Sequence, residues 1–433
     1  MLPLKSLLAT TALLVGAAAG AALPDVEIKT AGDRRVELKV NDGGRTAEAT
    51  FDIPPVETIE VRNERYDKIK LWNPRAAGWQ QEALRKTKSQ ECNTPFVYTP
   101  GTLKVTSGRK ADARVYERGK DYEVNEERGT FGRLEGGAIA EDTKVYASYK
   151  YVPQRMDSVF LKDGKLELVV GTPHVTNPKP PAGPDGGVRV ANILTRGSRP
   201  ALAPTDLYPI RETEFPGPTS SDIAEKLLPG TMKKLRSGEP LRILAWGDSV
   251  TGGGFVPQQF KWQEQFVSRL KERFPKANIE LLNLGWGGRN TNTFLNQSKG
   301  TPFDYESKLL NSKADLVVSE FVNDGGLGRE NFESNYNRIL KDFRAAGFEW
   351  IILTPHYIGG MKEQTEDSRN YVTMVRQFAA ENNIPVAEGS LRYGRLHLQG
   401  LSFPTLMANG FNHPDERGMK LFADALMALF PEK

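Results

Sequence analysis

Four residues in the second half of the chain could together do acyl-transfer chemistry: Ser249 in "AWGDSV", Gly288 in "NLGWGGRNT", Asn323 in "EFVNDGG" and His413 in "ANGFNHPDERGM". A serine hydroxyl is a weak nucleophile until a neighbouring imidazole takes its proton. The tetrahedral intermediate then needs hydrogen-bond donors aimed at its oxyanion. Backbone N–H groups of Ser249 and Gly288 and the side-chain amide of Asn323 would supply three. Glycine lets the backbone approach a substrate closely, and an asparagine amide donates without adding charge.

Each residue alone has a plainer reading. A Gly-Asp-Ser turn can cap a helix, Asn-Asp-Gly is ordinary turn sequence, and a histidine before proline suits a surface turn. Their order and placement shift the balance. From residue 240 on, apolar strand-length runs ("LRILAWGDS", "NIELLNLGWGG", "DLVVSEFVND", "WIILTPHY", "IPVAEG") alternate with segments of helical spacing such as "FKWQEQFVSRLKERF". Such alternation predicts a parallel sheet covered on both faces, with chemistry at the carboxyl ends of its strands. All four candidates fall there.

As a set, these blocks resemble those of the SGNH/GDSL hydrolase family, which centre on Ser, Gly, Asn and His. The resemblance covers about residues 240–433. It implies a flavodoxin-like three-layer α/β/α domain in which Ser249 is the nucleophile and His413 the acid/base. Ser249, Gly288 and Asn323 would form the oxyanion hole, with no cofactor and no metal. The family usually carries an Asp three residues before the histidine, where this chain has Gly410. Asn409 or a main-chain carbonyl is therefore expected to steady the His413 ring. Asp415 suits the first turn of the closing helix, where negative charge favours the dipole.

Among the other candidates, Asp248 reads as a loop-shaping residue. His356 follows a strand and is read equally as a substrate contact or a turn residue, and His174 and His397 as structural. Trp246 and Trp286 favour core packing over sugar stacking.

The elements before residue 240 differ in texture. Short alternating runs such as "RRVELKV", "TIEVRNE" and "TKVYASYKYV" predict an antiparallel β-sandwich-like domain over 23–165. Residues 166–238 include the Pro-rich "NPKPPAGPDGG" and are expected to form an extended connector that resists helix and sheet, with Ile193, Leu202 and Leu207 docking on neighbours. The hydrolase-like domain then spans 239–433. Residues 1–22, one Lys followed by a Leu/Ala-rich run and small residues, read as a signal peptide cut after Ala21 or Ala22. The expected location is secreted or periplasmic.

Over 433 residues the formal charge is only +4. That argues against nucleic-acid partners and, once the signal is cut, against a membrane. The single cysteine, Cys92, leaves no internal disulfide and reads as a buried apolar residue. With export and an appended β domain, the resemblance implies an esterase that removes acyl groups, chiefly acetyl, from a carbohydrate or polysaccharide. The rival readings are a polysaccharide O-acyltransferase, a lipase-like esterase, and a non-catalytic glycan-binding protein.

Overall fold

The computed structural model describes residues 23–76, 80–362 and 364–432; the expected signal peptide lies outside them. The C-terminal half is built on a five-stranded parallel sheet. Its strands lie in the order Asn278–Gly285, Pro240–Gly247, Leu316–Glu320, Glu349–Leu353, Val386–Ala387. The chain thus starts on the second strand of the sheet, steps to one side, then crosses back. This flavodoxin-like order leaves a crevice at the carboxyl end of Pro240–Gly247, where the direction of winding reverses.

Side-chain parity along each strand explains why both faces are covered, since successive residues point to opposite sides. Leu241, Ile243, Ala245, Leu316, Val318 and Ile351 face one apolar layer, in which Trp262, Phe266 and Leu270 of helix Trp262–Arg273 meet Met419, Phe422 and Leu426 of Glu416–Met427. Leu244, Trp246, Val317 and Ile352 face the other, filled by Phe332, Tyr336, Ile339 and Phe343 of Arg329–Ala346 and by Val372, Val375 and Phe378 of Asn370–Asn382. Trp246 is fully buried and packs edge-on against Phe321 and Phe294, the core role read from sequence.

The preceding region is built from antiparallel sheets, with two large apolar clusters and a small third one of Met156, Leu194 and Tyr208. The meander Asp25–Gly32, Arg35–Asp42, Arg45–Asp52 packs Val36, Leu38 and Val40 against Val159, Val190 and Ile193 of a second, four-stranded sheet, a sandwich-like arrangement. A separate cluster of Tyr66, Tyr98, Phe131 and Tyr149 joins strands Ile59–Tyr66, Val145–Tyr151 and Thr130–Arg133.

One expectation needs correcting. The Pro-rich span does not resist sheet throughout, because Val188–Thr195 and Leu207–Pro209 complete the four-stranded sheet beside Arg155–Lys162 and Lys165–Val169. The run "VRVANILT" has strong strand character, and averaging it with its Pro-rich flanks hid it. Ile193, Leu202 and Leu207 are buried in the sandwich cluster. Among the described residues no helix is long and apolar enough to cross a membrane.

The two halves are joined by polar contacts. Thr176 Oγ1 donates to the Ala408 carbonyl at 3.1 Å, Asn177 Nδ2 to Asp415 Oδ2 at 3.0 Å, and Asn192 Nδ2 to the Gly400 carbonyl at 2.7 Å.

Candidate active site

Ser249 is the first residue of a single helical turn, Ser249–Gly252, directly after the strand Pro240–Gly247. Asp248 is its N-cap, and its carboxylate accepts the Val250 N–H at 3.0 Å. The serine hydroxyl is therefore not needed as a cap. It donates instead to His413 Nε2 at 3.2 Å, across 164 positions of sequence.

The second loop follows Asn278–Gly285. A turn from Trp286 to Arg289, closed by the Arg289 N–H on the Trp286 carbonyl at 3.2 Å, lies against the serine. A Cβ built on Gly287 would stand 3.8 Å from the Ser249 Cβ. Gly288 has φ +71°, a left-handed backbone that residues with a Cβ adopt reluctantly. Trp286 stacks on Phe303 at 5.0 Å between ring centroids.

The third loop follows Leu316–Glu320. The Asn323 amide donates to Asp248 Oδ2 at 3.1 Å and to the Arg289 carbonyl at 3.2 Å, and its N–H also reaches Asp248 Oδ2 at 3.1 Å. Asp324 accepts from Thr291 N–H at 2.9 Å and from the Tyr336 hydroxyl at 3.0 Å, which ties the second loop to the third. To serve an oxyanion, the Asn323 amide must exchange its contact with the Arg289 carbonyl on the exposed turn.

Three buried carboxyls lie behind the serine loop. Burial pushes Asp248 up to about 6 and Asp324 up to about 7, and raises Glu320 well above the usual range with help from Asp248 and Asp324. Glu320 Oε2 accepts from Thr251 Oγ1 at 3.4 Å. Since the folded state holds these protons to higher pH than the unfolded chain does, stability falls as pH rises above about 4.5, by up to about 1.4 kcal/mol per pH unit per group. Glu320→Gln, which keeps the shape without the ionisation, should raise the melting temperature at pH 7.5. That gain should vanish near pH 4.5 in thermal unfolding, whereas a gap independent of pH would contradict the assignment.

His413 lies just before the closing helix, whose N-cap is Asp415, accepting from Arg417 and Gly418 N–H. The ring is mostly buried, with side-chain exposure of 13%, and stacks on Phe255 at 4.3 Å and 3° between planes. Burial lowers its proton affinity, while Glu91 raises it. With Nε2 facing the serine, Nδ1 donates to Gln90 Oε1 at 2.7 Å, and Glu91 Oε1 stands 3.4 Å from the same nitrogen.

The expectation for Asn409 is thereby corrected. Its Oδ1 accepts the backbone N–H groups of Phe411, Asn412 and His413 at 3.0, 2.9 and 3.0 Å. It folds the loop, as asparagine side chains do in turns, and does not touch the ring. Gln90, Glu91 and Phe255 were not found from sequence, and the one available signal was the missing Asp at Gly410.

His356 is fully buried, donates from Nε2 to the Asn412 carbonyl at 2.8 Å, and is pushed down to about 3 by burial. It supports the His413 loop as a neutral ring. His174 Nδ1 accepts from the Thr176 and Asn177 N–H groups, and His397 Nδ1 pairs with the Gly394 carbonyl. Cys92 is buried and its thiol is pushed up to about 12, chiefly by burial.

Residues 245–421 match the family model of the GDSL-like lipase/acylhydrolase family. No curated protein matches the chain. Similar solved structures include a two-domain esterase active on acetylated mannans, at 20% identity over 48% of this chain and 53% of that one, with a TM-score of 0.38. This chain thus spans about half the length of that esterase. An acetyl xylan esterase from Geobacillus stearothermophilus is 18% identical over 45% of this chain and 97% of that one, with a TM-score of 0.37. The family match spans the same loops that carry Ser249, Gly288, Asn323 and His413, so residues 245–421 are similar to a GDSL-like lipase/acylhydrolase domain.

Proposed function

We propose that the protein is a secreted serine esterase that hydrolyses O-acyl esters, chiefly acetyl, on carbohydrate through a Ser249–His413 acyl-enzyme. The observation that carries this reading is the 3.2 Å contact between Ser249 Oγ and His413 Nε2 at the winding reversal of a parallel sheet.

In the first half-reaction His413 Nε2 takes the Ser249 proton as Oγ attacks the acyl carbonyl. The oxyanion is met by the N–H groups of Ser249 and Gly288 and by the Asn323 amide. The imidazolium then returns its proton to the departing sugar hydroxyl, leaving the acyl group on Ser249. A water, deprotonated by the same nitrogen, releases the acid and restores the serine. No further proton carrier is required.

The substrate class rests on the rim and on export. Gln90, Glu91, Arg289 and Asn323 give the site a polar edge, suited to a hydroxyl-rich carrier. Residues 1–22 supply the export signal, and that location gives access to polysaccharide.

The purified protein should release acetate from acetylated polysaccharide and be labelled by a fluorophosphonate probe at Ser249, located by peptide mass spectrometry. Retention on polysaccharide with neither labelling nor acetate release would instead favour a non-catalytic glycan-binding protein.

A further inference from the structure

In a serine hydrolase the base works only if something holds its tautomer and steadies its charge. Here the position three residues before His413 cannot carry that group. Gly410 has φ +70°, and a Cβ there would lie 2.8 Å from Thr94 Oγ1. The space belongs to a side chain from the N-terminal β region. Four residues before Thr94 in sequence, the same segment presents Gln90 to the imidazole.

Gln90 and Glu91 form the two-residue tip of a hairpin, Lys88–Ser89 with Cys92–Asn93. Gln90 has φ +55°. A non-glycine residue in that region costs on the order of 1 kcal/mol or more, and such strain gathers at functional sites. Glycine would suit this backbone better but would remove the amide that meets His413. The tip is also fixed from both sides. Cys92 and Asn93 are buried, the Thr94 N–H donates to the Thr87 carbonyl at 3.1 Å, and Asn409 Nδ2 donates to Glu91 Oε1 at 3.2 Å.

We propose that the N-terminal β region completes the catalytic centre. Gln90 positions His413 by accepting its Nδ1 proton, and Glu91 places a carboxylate opposite the imidazolium formed during acyl transfer. The proposal rests on the reading of Ser249 and His413 as nucleophile and base. Both residues act through His413 and are positioning residues. A neutral amide at 2.7 Å selects the tautomer with a free Nε2. The carboxylate at 3.4 Å supplies the charge that an Asp would carry in one residue. Orientation and charge compensation are thus divided between neighbours on one hairpin, and the hydrolase domain alone lacks both.

Several other groups surround the ring. Ser249 comes from the nucleophile loop, and Phe255 from the segment that follows. His356 comes from the loop after Glu349–Leu353, while the Asp415 carboxylate, two residues along the His413 loop, is engaged by Arg417, Gly418 and Asn177. Glu91 is the one that raises the proton affinity of the ring.

The test uses the full chain and a nitrophenyl acetate assay. Gln90→Ala combined with Glu91→Ala should lower kcat roughly 100-fold, with KM changed less than about threefold, since ground-state binding is untouched. The nearly isosteric variants separate positioning from folding. Glu91→Gln should move the acidic limb of kcat/KM to lower pH, and Gln90→Glu should move it to higher pH. A double variant with parental kcat, or limbs that stay put in both single variants, would overturn the proposal. Ser249→Ala is the control: if it is inactive while the double variant is intact, only the composite centre fails. If Ser249→Ala is as active as the parent, the serine-esterase reading itself fails.

Discussion

Ser249→Ala should lower kcat/KM for a nitrophenyl acetate by at least about 10⁴-fold and leave the melting temperature within about 1 °C of the parent. Both halves of that result follow from the nucleophile loop. If the serine were a helix cap, its removal would cost about 1 kcal/mol. The cap is Asp248, which holds the Val250 N–H at 3.0 Å, and the serine hydroxyl spends its proton on His413. Deleting Oγ removes one hydrogen bond at the rim of the site and leaves the Asp248 cap and the helical turn intact. The oxyanion donors survive in the variant and set its residual rate. Activity within tenfold of the parent, measured on protein free of host esterase, would sink the assignment.

How much of this was open to sequence depends on the distance over which each feature is specified. The parity of "LRILAWG", with apolar side chains on both faces, states locally that the strand is covered twice, and both layers exist. The loops after the first three strands are likewise short and begin where their strands end, so Ser249, Gly288 and Asn323 could be placed on one rim. The His413 loop follows the same logic through the Asp415 cap and the closing helix.

The partner of Nδ1 is specified differently. Gln90 lies 323 positions from His413, on a hairpin whose tip carries none of the Gly or Asn signals of tight turns. No local pattern links the two. Gly410 told a reader that the usual carboxylate was missing, but not that a second structural unit occupies its place. The strand Val188–Thr195 escaped for a related reason: its character is local, but its Pro-rich neighbours dominate any window that includes them.

His413→Ala should lower kcat by about 10³- to 10⁴-fold, a little less than loss of the nucleophile, because water and the oxyanion donors still support slow attack. Its pH behaviour separates a base from a merely supportive ring. Burial disfavours the imidazolium, so the ring holds its proton less tightly than an exposed histidine, with Glu91 opposing part of that effect. The base therefore stays neutral to a pH below the ordinary histidine value of about 6.5. In the parent, kcat/KM should rise through an acidic limb centred below 6.5 and then level off. In His413→Ala the limb should disappear, leaving a rate that climbs with hydroxide. The gap beside Phe255, whose ring stacks on the lost imidazole at 4.3 Å, should also admit added imidazole and recover part of the rate. A parent limb well above 6.5, or one that survives in the variant, would mean that another group takes the proton from Ser249. The adjoining buried carboxyl, Asp248, is already engaged by the Val250 N–H on one oxygen and by Asn323 on the other.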